Sequence, residues 1–383
     1  MPFLTKGRSC AVVNEVTFGA ANPTIADADY IDFTGCDVGT DIAMIERNVM
    51  RNSMVALEPV LGQESSSGSI SVELSSTAAG ILNGTKLFAN GIGKMTPQAV
   101  ATTTTASSTT SLVNVTTAAG LVVGQVLKVE VTTGAFEFTQ ITNIAALAIS
   151  VDPALSSAPV AGKIAQGLLT YTLPKPSDAV SSLAVRENLK PTSGSPIDYT
   201  YLGVMASNVA LDYPVGGIAT AGFTLAGAGF TINASGTTPT LPCAIATPIV
   251  GKNGSVTVMG TAYDTKDLKV SIATTMTDVN AITTDGITNK LGTAKAVTGS
   301  FKTPYTGAND LTAFKAGTKG AIRLLLKDGG KTSPVIHGII APVVKFTKVK
   351  ASDDAGVLYN TIDFQIMSPD CGTVERAISV FFV

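Results

Sequence analysis

Apolar and polar residues alternate in short runs along most of the chain, and the runs come in pairs separated by turn residues. The clearest pair begins Tyr201-Leu202-Gly203-Val204-Met205-Ala206 and continues through Val209, Leu211 and Phe223-Thr224-Leu225. Its echo begins Ile336-His337-Gly338-Ile339-Ile340-Ala341 and continues through Val344, Phe346 and Tyr359-Asn360-Thr361-Ile362-Asp363-Phe364. Alternation on both sides of a polar or Gly-containing turn predicts a β-hairpin. Two such hairpins in matching order make residues 201–232 and 336–367 copies of one another, and the chain a tandem duplication.

Extended outward, each copy predicts strands, one short helix, a further strand and the closing hairpin. In the first copy the strands are Cys10 to Phe18, Tyr30 to Phe33, Ile42 to Val49 and Ile70 to Leu74, followed by a helix capped by Ser76 or Thr77 with Ile81, Leu82, Leu87 and Phe88 inside. In the second they are Ser255 to Gly260, Leu268 to Thr274, Val279 to Thr283 and Ala296 to Phe301. The second helix has Asn309 as its cap, Leu311 and Phe314 inside and Gly317 as its stop.

The copies differ after the helix. Gly317 is followed almost at once by Ala321-Ile322-Arg323-Leu324, whereas a long stretch separates Gly91 from Ser182-Leu183-Ala184-Val185. The excess opens with the Thr, Ala and Ser of Ala101 to Ser111, a linker or exposed strand pair, and contains several short strand patterns with Gly at their turns. It reads as a small inserted β module, closed off by Pro174 and Pro176. The expected division is 1–95 with 166–238 as a discontinuous first domain, 96–165 as the insertion and 239–383 as the second domain.

Composition narrows the function. Of 383 residues only 14% are charged, against roughly 25% in soluble domains, so the surface is bland and suits a protein covered by copies of itself. Twenty-six basic and 28 acidic residues leave a net charge of -2, with no basic footprint for reading nucleic acid. Cys10, Cys36, Cys243 and Cys371 are scattered and there is one histidine, a poor basis for a metal site; buried free thiols are expected. The N-terminus carries no signal-peptide pattern. Tyr213 to Gly251 carries no charge and Gly217 to Ile232 within it has the apolarity of a membrane span, but the corresponding strand of the second copy intersperses Asp363 and Gln365 among Ile362, Phe364 and Ile366, as a half-buried strand does.

Catalytic chemistry has little to work with. His337 occupies the position of Leu202 in the other copy, which points to packing rather than proton transfer. Gly216-Gly217-Ile218-Ala219-Thr220-Ala221-Gly222 lacks the Lys-Ser/Thr of a phosphate loop and reads as a turn. Asp353-Asp354 lacks the spacing of a calcium loop and reads as a hairpin turn. The densest polar cluster, Glu46-Arg47-Asn48-Val49-Met50-Arg51-Asn52-Ser53-Met54, is either a solvated strand face or one that forms ion pairs across a subunit contact. No cofactor is expected.

Ile45-Glu46-Arg47-Asn48, then Glu58-Pro59-Val60-Leu61-Gly62-Gln63, then Ser69-Ile70-Ser71-Val72-Glu73-Leu74 resemble the tail tube proteins of long-tailed, non-contractile bacteriophages, in particular those with two tube domains fused in one chain. The likeness spans both copies through short motifs. It implies a mainly β fold, with two tandem β-sandwich or barrel domains, each flanked by a short helix. It also implies a non-enzymatic virion protein, made in the bacterial host cytoplasm, whose trimeric, pseudo-hexameric rings stack into a hollow tube. The implied partners are further copies of itself, a tape-measure protein, tail terminator and tip proteins, and DNA passing unread through the lumen, with no membrane insertion. Glu46, Arg47, Arg51, Glu58, Gln63 and Glu64 become the candidate intersubunit contacts, and Glu58 to Ser69 a mobile loop reaching the next ring. The insertion is expected on the tube exterior, and the sheet edges, with few charged guards, are expected to be paired in the assembly. The competing expectation is a secreted or surface β-rich adhesin or receptor-binding protein whose insertion makes the contact.

Overall fold

The computed structural model describes residues 3–20, 23–47, 58–76, 84–175, 178, 180–192, 194–240, 247–281, 286–307, 309–327, 335–369 and 376–383. The chain opens with β1 (Phe3–Asn14), β2 (Tyr30–Ile31), β3 (Gly35–Ile45), β4 (Val60–Glu73), β5 (Ser75–Ser76), α1 (Thr85–Gly91) and β6 (Lys94–Thr96). Then come β7 (Thr102–Thr103), β8 (Leu112–Asn114), β9 (Val126–Thr132), β10 (Ala135–Ala145), β11 (Ala148–Asp152) and β12 (Ile164–Gly167). Next are β13 (Leu169–Thr172), β14 (Leu183–Pro191), β15 (Ile197–Pro214), β16 (Thr220–Gly227) and β17 (Gly229–Asn233). After β18 (Thr247–Pro248), which pairs with β5, the chain continues through β19 (Ser255–Val258), β20 (Thr261–Tyr263), β21 (Asp267–Ala281) and β22 (Gly286–Pro304). It ends with α2 (Asn309–Ala316), β23 (Lys319–Lys327), β24 (Val335–Asp354), β25 (Val357–Met367) and β26 (Ser379–Phe382). The fold is mainly β, as the alternation predicts.

One pattern of antiparallel pairing occurs twice. In the first half the strands run β2-β1-β14-β15-β16-β4-β3. In the second they run β20-β19-β23-β24-β25-β22-β21. Strands β17 and β26 complete the correspondence, adding to the N-terminal parts of β15 and β24. The apolar interior is continuous through both halves.

Strands β15 and β24 organise each half. Thr200 to Ala206 and His337 to Pro342 are buried at every position, so both faces of each strand are covered there; past a bulge, inward and outward positions alternate. The bulges fall at Ser207 in β15 and Thr347 in β24, and each strand has a second irregularity, near Gly203 and Pro342. Gly203 has φ +61°, where a side chain is strained, and its absent Cβ leaves room for Phe18; Pro342 has no N–H to place. The halves therefore correspond at a separation of 140 positions (207 to 347), not the 135 of the sequence echo (201 to 336). His337 consequently corresponds to Ile197 of the first half, not to Leu202.

Helix α1 holds the first bulge in place. Asn90 accepts from the Ala206 N–H at 2.7 Å and donates to the Ser181 carbonyl at 2.7 Å. Gly91 has no Cβ because one would lie 2.3 Å from Val209 Cγ2. Lys295 of β22 closes the same C-terminal end of the helix, its Nζ donating to the carbonyls of Gly91 at 2.6 Å and Ile92 at 3.0 Å; burial lowers its pKa to about 8. Helix α1 starts at Thr85 after Gly84, not at Ser76 or Thr77: Ser76 pairs with Thr247, and residues 77–83 lie outside the described residues. Helix α2 matches expectation in its span and in its stop at Gly317 (φ +62°), but Leu311 is exposed and the inward polar group is Asp310, which accepts from Tyr263 Oη and Asn360 Nδ2.

Expectation and structure part company at two hairpins. Glu58 to Ser69 is not a loop: from Val60 onward it is β4, paired with β3 and, from Ser66, with β16 as well. Its serines suggest a loop, but they are the small residues a strand needs when flanked on both sides. A Cβ on Gly68 would meet the Asp37 carbonyl at 1.9 Å, so this glycine serves close approach of β3 rather than mobility. Of the strand expected at Val279 to Thr283, Val279 to Ala281 are the end of β21, which pairs with β22, and residues 282–283 lie outside the described residues.

The insertion forms its own six-stranded sheet, ordered β7-β12-β9-β10-β11-β8, over a core that includes Val113, Leu127, Val129, Ile141 and Ile149. Its base docks on the second half, not only on the half that carries it. Phe138 stacks on Phe381 at 5.4 Å, Gln140 Nε2 donates to Ser379 Oγ at 2.6 Å, and Ser379 Oγ donates to the Gly124 carbonyl at 3.0 Å. Strand β26 in turn pairs with both β13 and β24.

His337 lies at this junction, fully buried, as the expectation of a packing role requires. Its Nδ1 faces the Phe381 carbonyl at 2.8 Å, which only accepts, so Nδ1 carries the proton and Nε2 accepts from Tyr213 Oη at 2.8 Å. Cys10 and Cys36 are buried free thiols; Cys243 and Cys371 lie outside the described residues. The turns expected at Gly216 and at Asp353-Asp354 are present, the latter with Ala355 and Gly356 at positive φ and the Gly356 N–H donating to Asp353 Oδ1. Strands β16 and β17 occupy the apolar Gly217 to Ile232 segment, and no helix among the described residues is long and apolar enough to cross a membrane.

Two measurements test these assignments. Gly68→Val should lower the unfolding free energy by at least about 2 kcal/mol, read by urea denaturation, because the new side chain meets backbone; an unchanged midpoint would contradict the close packing of β3 on β4. Burial lowers the His337 pKa from 6.5 to about 4, so the unfolded chain takes up a proton that the folded chain refuses. Stability is then full above pH 6.5 and falls by about 3 kcal/mol as pH drops towards 4. The double variant His337→Leu, Tyr213→Phe should lose that share of the acid sensitivity.

Candidate subunit interface

Both halves leave the same kind of feature on the surface: a strand with one side of its backbone unoccupied. Strand β15 changes partners along its length. On one side β14 (residues 197–204) gives way to β21 (residues 208–214), and on the other β17 gives way to β16. The β15–β21 pairing joins the two halves, with Asn208 opposite Ala273, Asp212 opposite Lys269 and Pro214 opposite Asp267. Lys269 Nζ and Asp212 Oδ2 are 3.0 Å apart across it, an exposed pair that contributes little stability but marks the register.

Strand β24 makes the corresponding exchange only on one side. Strand β26 gives way to β25 there; on the other, β23 stops at Lys345 and no described strand follows along Lys348 to Asp354. Strand β3, the counterpart of β21, pairs with β4 and with no other described strand. It is tied to the opposite layer by Arg8, which forms an ion pair with Glu187 and donates to the Cys36 carbonyl at 2.8 Å, and by Tyr201 Oη, which donates to the Val38 carbonyl at 2.7 Å. Burial pushes the Tyr201 pKa up, so that hydroxyl keeps its proton.

These edges are charged, against the expectation of few guards. Asp37 and Asp41 are exposed on β3, Lys348 and Lys350 on β24, and none of the four has an ion-pair partner among the described residues. Sequence reasoning passed over all four. The available signal was like charge at even spacing, four positions apart in Asp37 and Asp41 and two in Lys348 and Lys350, which places each pair on one face of a strand.

The residues singled out from sequence gather elsewhere, at the far end of the β3–β4 hairpin. Ile45 opposite Val60 is its last pair; Glu46 and Arg47 follow it and Glu58 precedes it, all exposed. Glu64 is exposed opposite Ile42, while half-buried Gln63 reaches Asn280 Oδ1 at 3.5 Å, touching the neighbouring β21–β22 hairpin. Arg51 lies outside the described residues. The missed component is apolar: Met44, Ile45, Val60 and Leu61 are each at least half exposed, and Val279 and Leu291 on the next hairpin are exposed too. A cluster of this kind marks a contact surface.

Among the described residues there is no group of three or more His, Cys, Asp or Glu placed to hold a metal ion. Lys290, the most buried cation near the hairpin ends, is paired with Asp278 at 2.6 Å. What the described surface offers is strand edges and hairpin tips, which are means of self-association.

No curated protein sequence matches the chain significantly. The model of one protein family, described as phage tail tube protein, matches residues 6–366 and so covers both halves and the insertion. The chain thus belongs to the phage tail tube proteins, a family of structural virion components.

Proposed function

We propose that this chain is the ring-forming subunit of the tail tube of a long-tailed, non-contractile phage, with two tube units per chain and three chains per pseudo-hexameric ring. The observation that carries the reading is the pairing order repeated in both halves, β2-β1-β14-β15-β16-β4-β3 and β20-β19-β23-β24-β25-β22-β21. The first unit comprises residues 1–95 and 166–238, the second 239–383, and 96–165 is the insertion. Rings stack through the exposed ends of the β3–β4 and β21–β22 hairpins, with Glu46, Arg47, Arg51, Glu58, Gln63 and Glu64 around the apolar tip. The insertion lies outside the tube. DNA leaves through the lumen unread, which agrees with the small negative net charge. A tape-measure protein fills the lumen before ejection, and terminator and tip proteins close the ends.

The purified protein should form hollow tubes in electron micrographs, with three chains per ring by mass; a strictly monomeric species would refute the reading. Ile45→Glu combined with Leu61→Glu should leave folding and ring formation intact while shifting the population from tubes to single rings. Unaltered tube length and yield would remove the hairpin tips from the stacking contact.

A further inference from the structure

The internal β15–β21 pairing is a template for a second pairing, one that the chain can complete only with another copy of itself. Equivalent positions can be walked across each half through hydrogen-bonded neighbours. In the first half Val209 pairs with Phe223, Phe223 with Ile70 and Ile70 with Cys36. In the second, Val349 pairs with Ile362, Ile362 with Phe301 and Phe301 with Leu268. So Val209 corresponds to Val349, and Cys36 to Leu268. Within the chain Val209 lies opposite Ile272 and Tyr213 opposite Leu268.

We infer that β24 of one chain pairs antiparallel with β3 of the next, in the register Lys348 opposite Asp41, Val349 opposite Thr40, Lys350 opposite Gly39, Ala351 opposite Val38 and Ser352 opposite Asp37. This rests on the ring reading above and specifies its seam. Three features of the free chain support the assignment. The backbone is open at these residues of β24 and along β3. The register keeps faces together: Val349 and Val38 point inward, while Lys348, Lys350, Asp37 and Asp41 point outward. The charges are complementary, with Lys348 directly opposite Asp41 and Lys350 diagonal to both Asp37 and Asp41. Arg8 and Tyr201 hold the Cys36 and Val38 carbonyls, and each carbonyl keeps a second lone pair for the ladder.

The polarity of this seam is the reverse of the internal one. Inside the chain the acid is on β15 (Asp212) and the base on β21 (Lys269); between chains the base is on β24 and the acid on β3. Pairing β15 with β3 in the template register would set Asp212 opposite Asp37, so first units repel first units. The reversal enforces alternation of units around the ring.

The test uses the full-length chain. Asp41→Cys with Lys348→Cys places two thiols on directly opposed residues, within disulfide reach, whereas Asp37→Cys with Lys348→Cys is four residues out of register. Under mild oxidation the first variant should form covalent multimers ending at three chains on a denaturing gel, and the second should stay monomeric. In parallel, Asp41→Lys alone should raise the concentration needed for assembly about fivefold per seam, and Asp41→Lys with Lys348→Asp should restore it. Tubes that form normally with cross-linking in the second variant, or in neither, would overturn this register and leave the tube reading standing. Wild-type protein that forms no ring or tube would overturn both.

Discussion

The antiparallel pairing of β15 with β21 is the constraint on which the architecture depends. It forms because β15 is longer than any one partner, and a bulge at Ser207 turns its second half away from β14. Backbone groups beyond that bulge need new partners, since an unpaired buried ladder is costly. Strand β21 supplies them, and a chain of two halves becomes one hydrogen-bonded sheet. Asn90, Gly91 and Lys295 all bear on this point: the helix they belong to or close is seated on the bulge.

The repeated pairing order makes the same constraint operate twice with different outcomes. What β15 finds within the chain, β24 finds missing, and what β21 gives, β3 keeps. The core is continuous through both halves, while β3 and the C-terminal part of β24 each keep one backbone edge without a described partner strand. The residues around the two sites reflect the difference. Leu268 and Leu324 pack at the second-half positions that correspond to Cys36 and Glu187 in the first, where Arg8, part-exposed, forms its ion pair with the buried Glu187.

The β class, the paired hairpins, the insertion and the span of α2 were legible in the sequence because each rests on local periodicity or turn chemistry. The register between the halves was not. Thr200 to Ala206 and His337 to Pro342 are buried at every position, so their apolar runs carry no phase, and a shift of five residues matches as well as the true one. Beyond them each bulge inverts the alternation. Ser65 to Ser69 was opaque for another reason: small polar residues in a strand paired on both sides look the same as those of a loop. Of the candidate contact surface, sequence reading singled out the charged residues beside the hairpin end, but not Asp41 or Lys348, because which strand edges are left open depends on the fold.

Strand β26 has a consequence for the order in which the protein is made. Phe381, Phe382 and Ser379 join β13 of the first half, β24 of the second, His337 and the base of the insertion, yet a ribosome delivers them after every element they bind. Nascent chains fold from their N-terminal end, so the docking of β13 and of the insertion's base on the second half follows the synthesis of β26, although the insertion carries a core of its own.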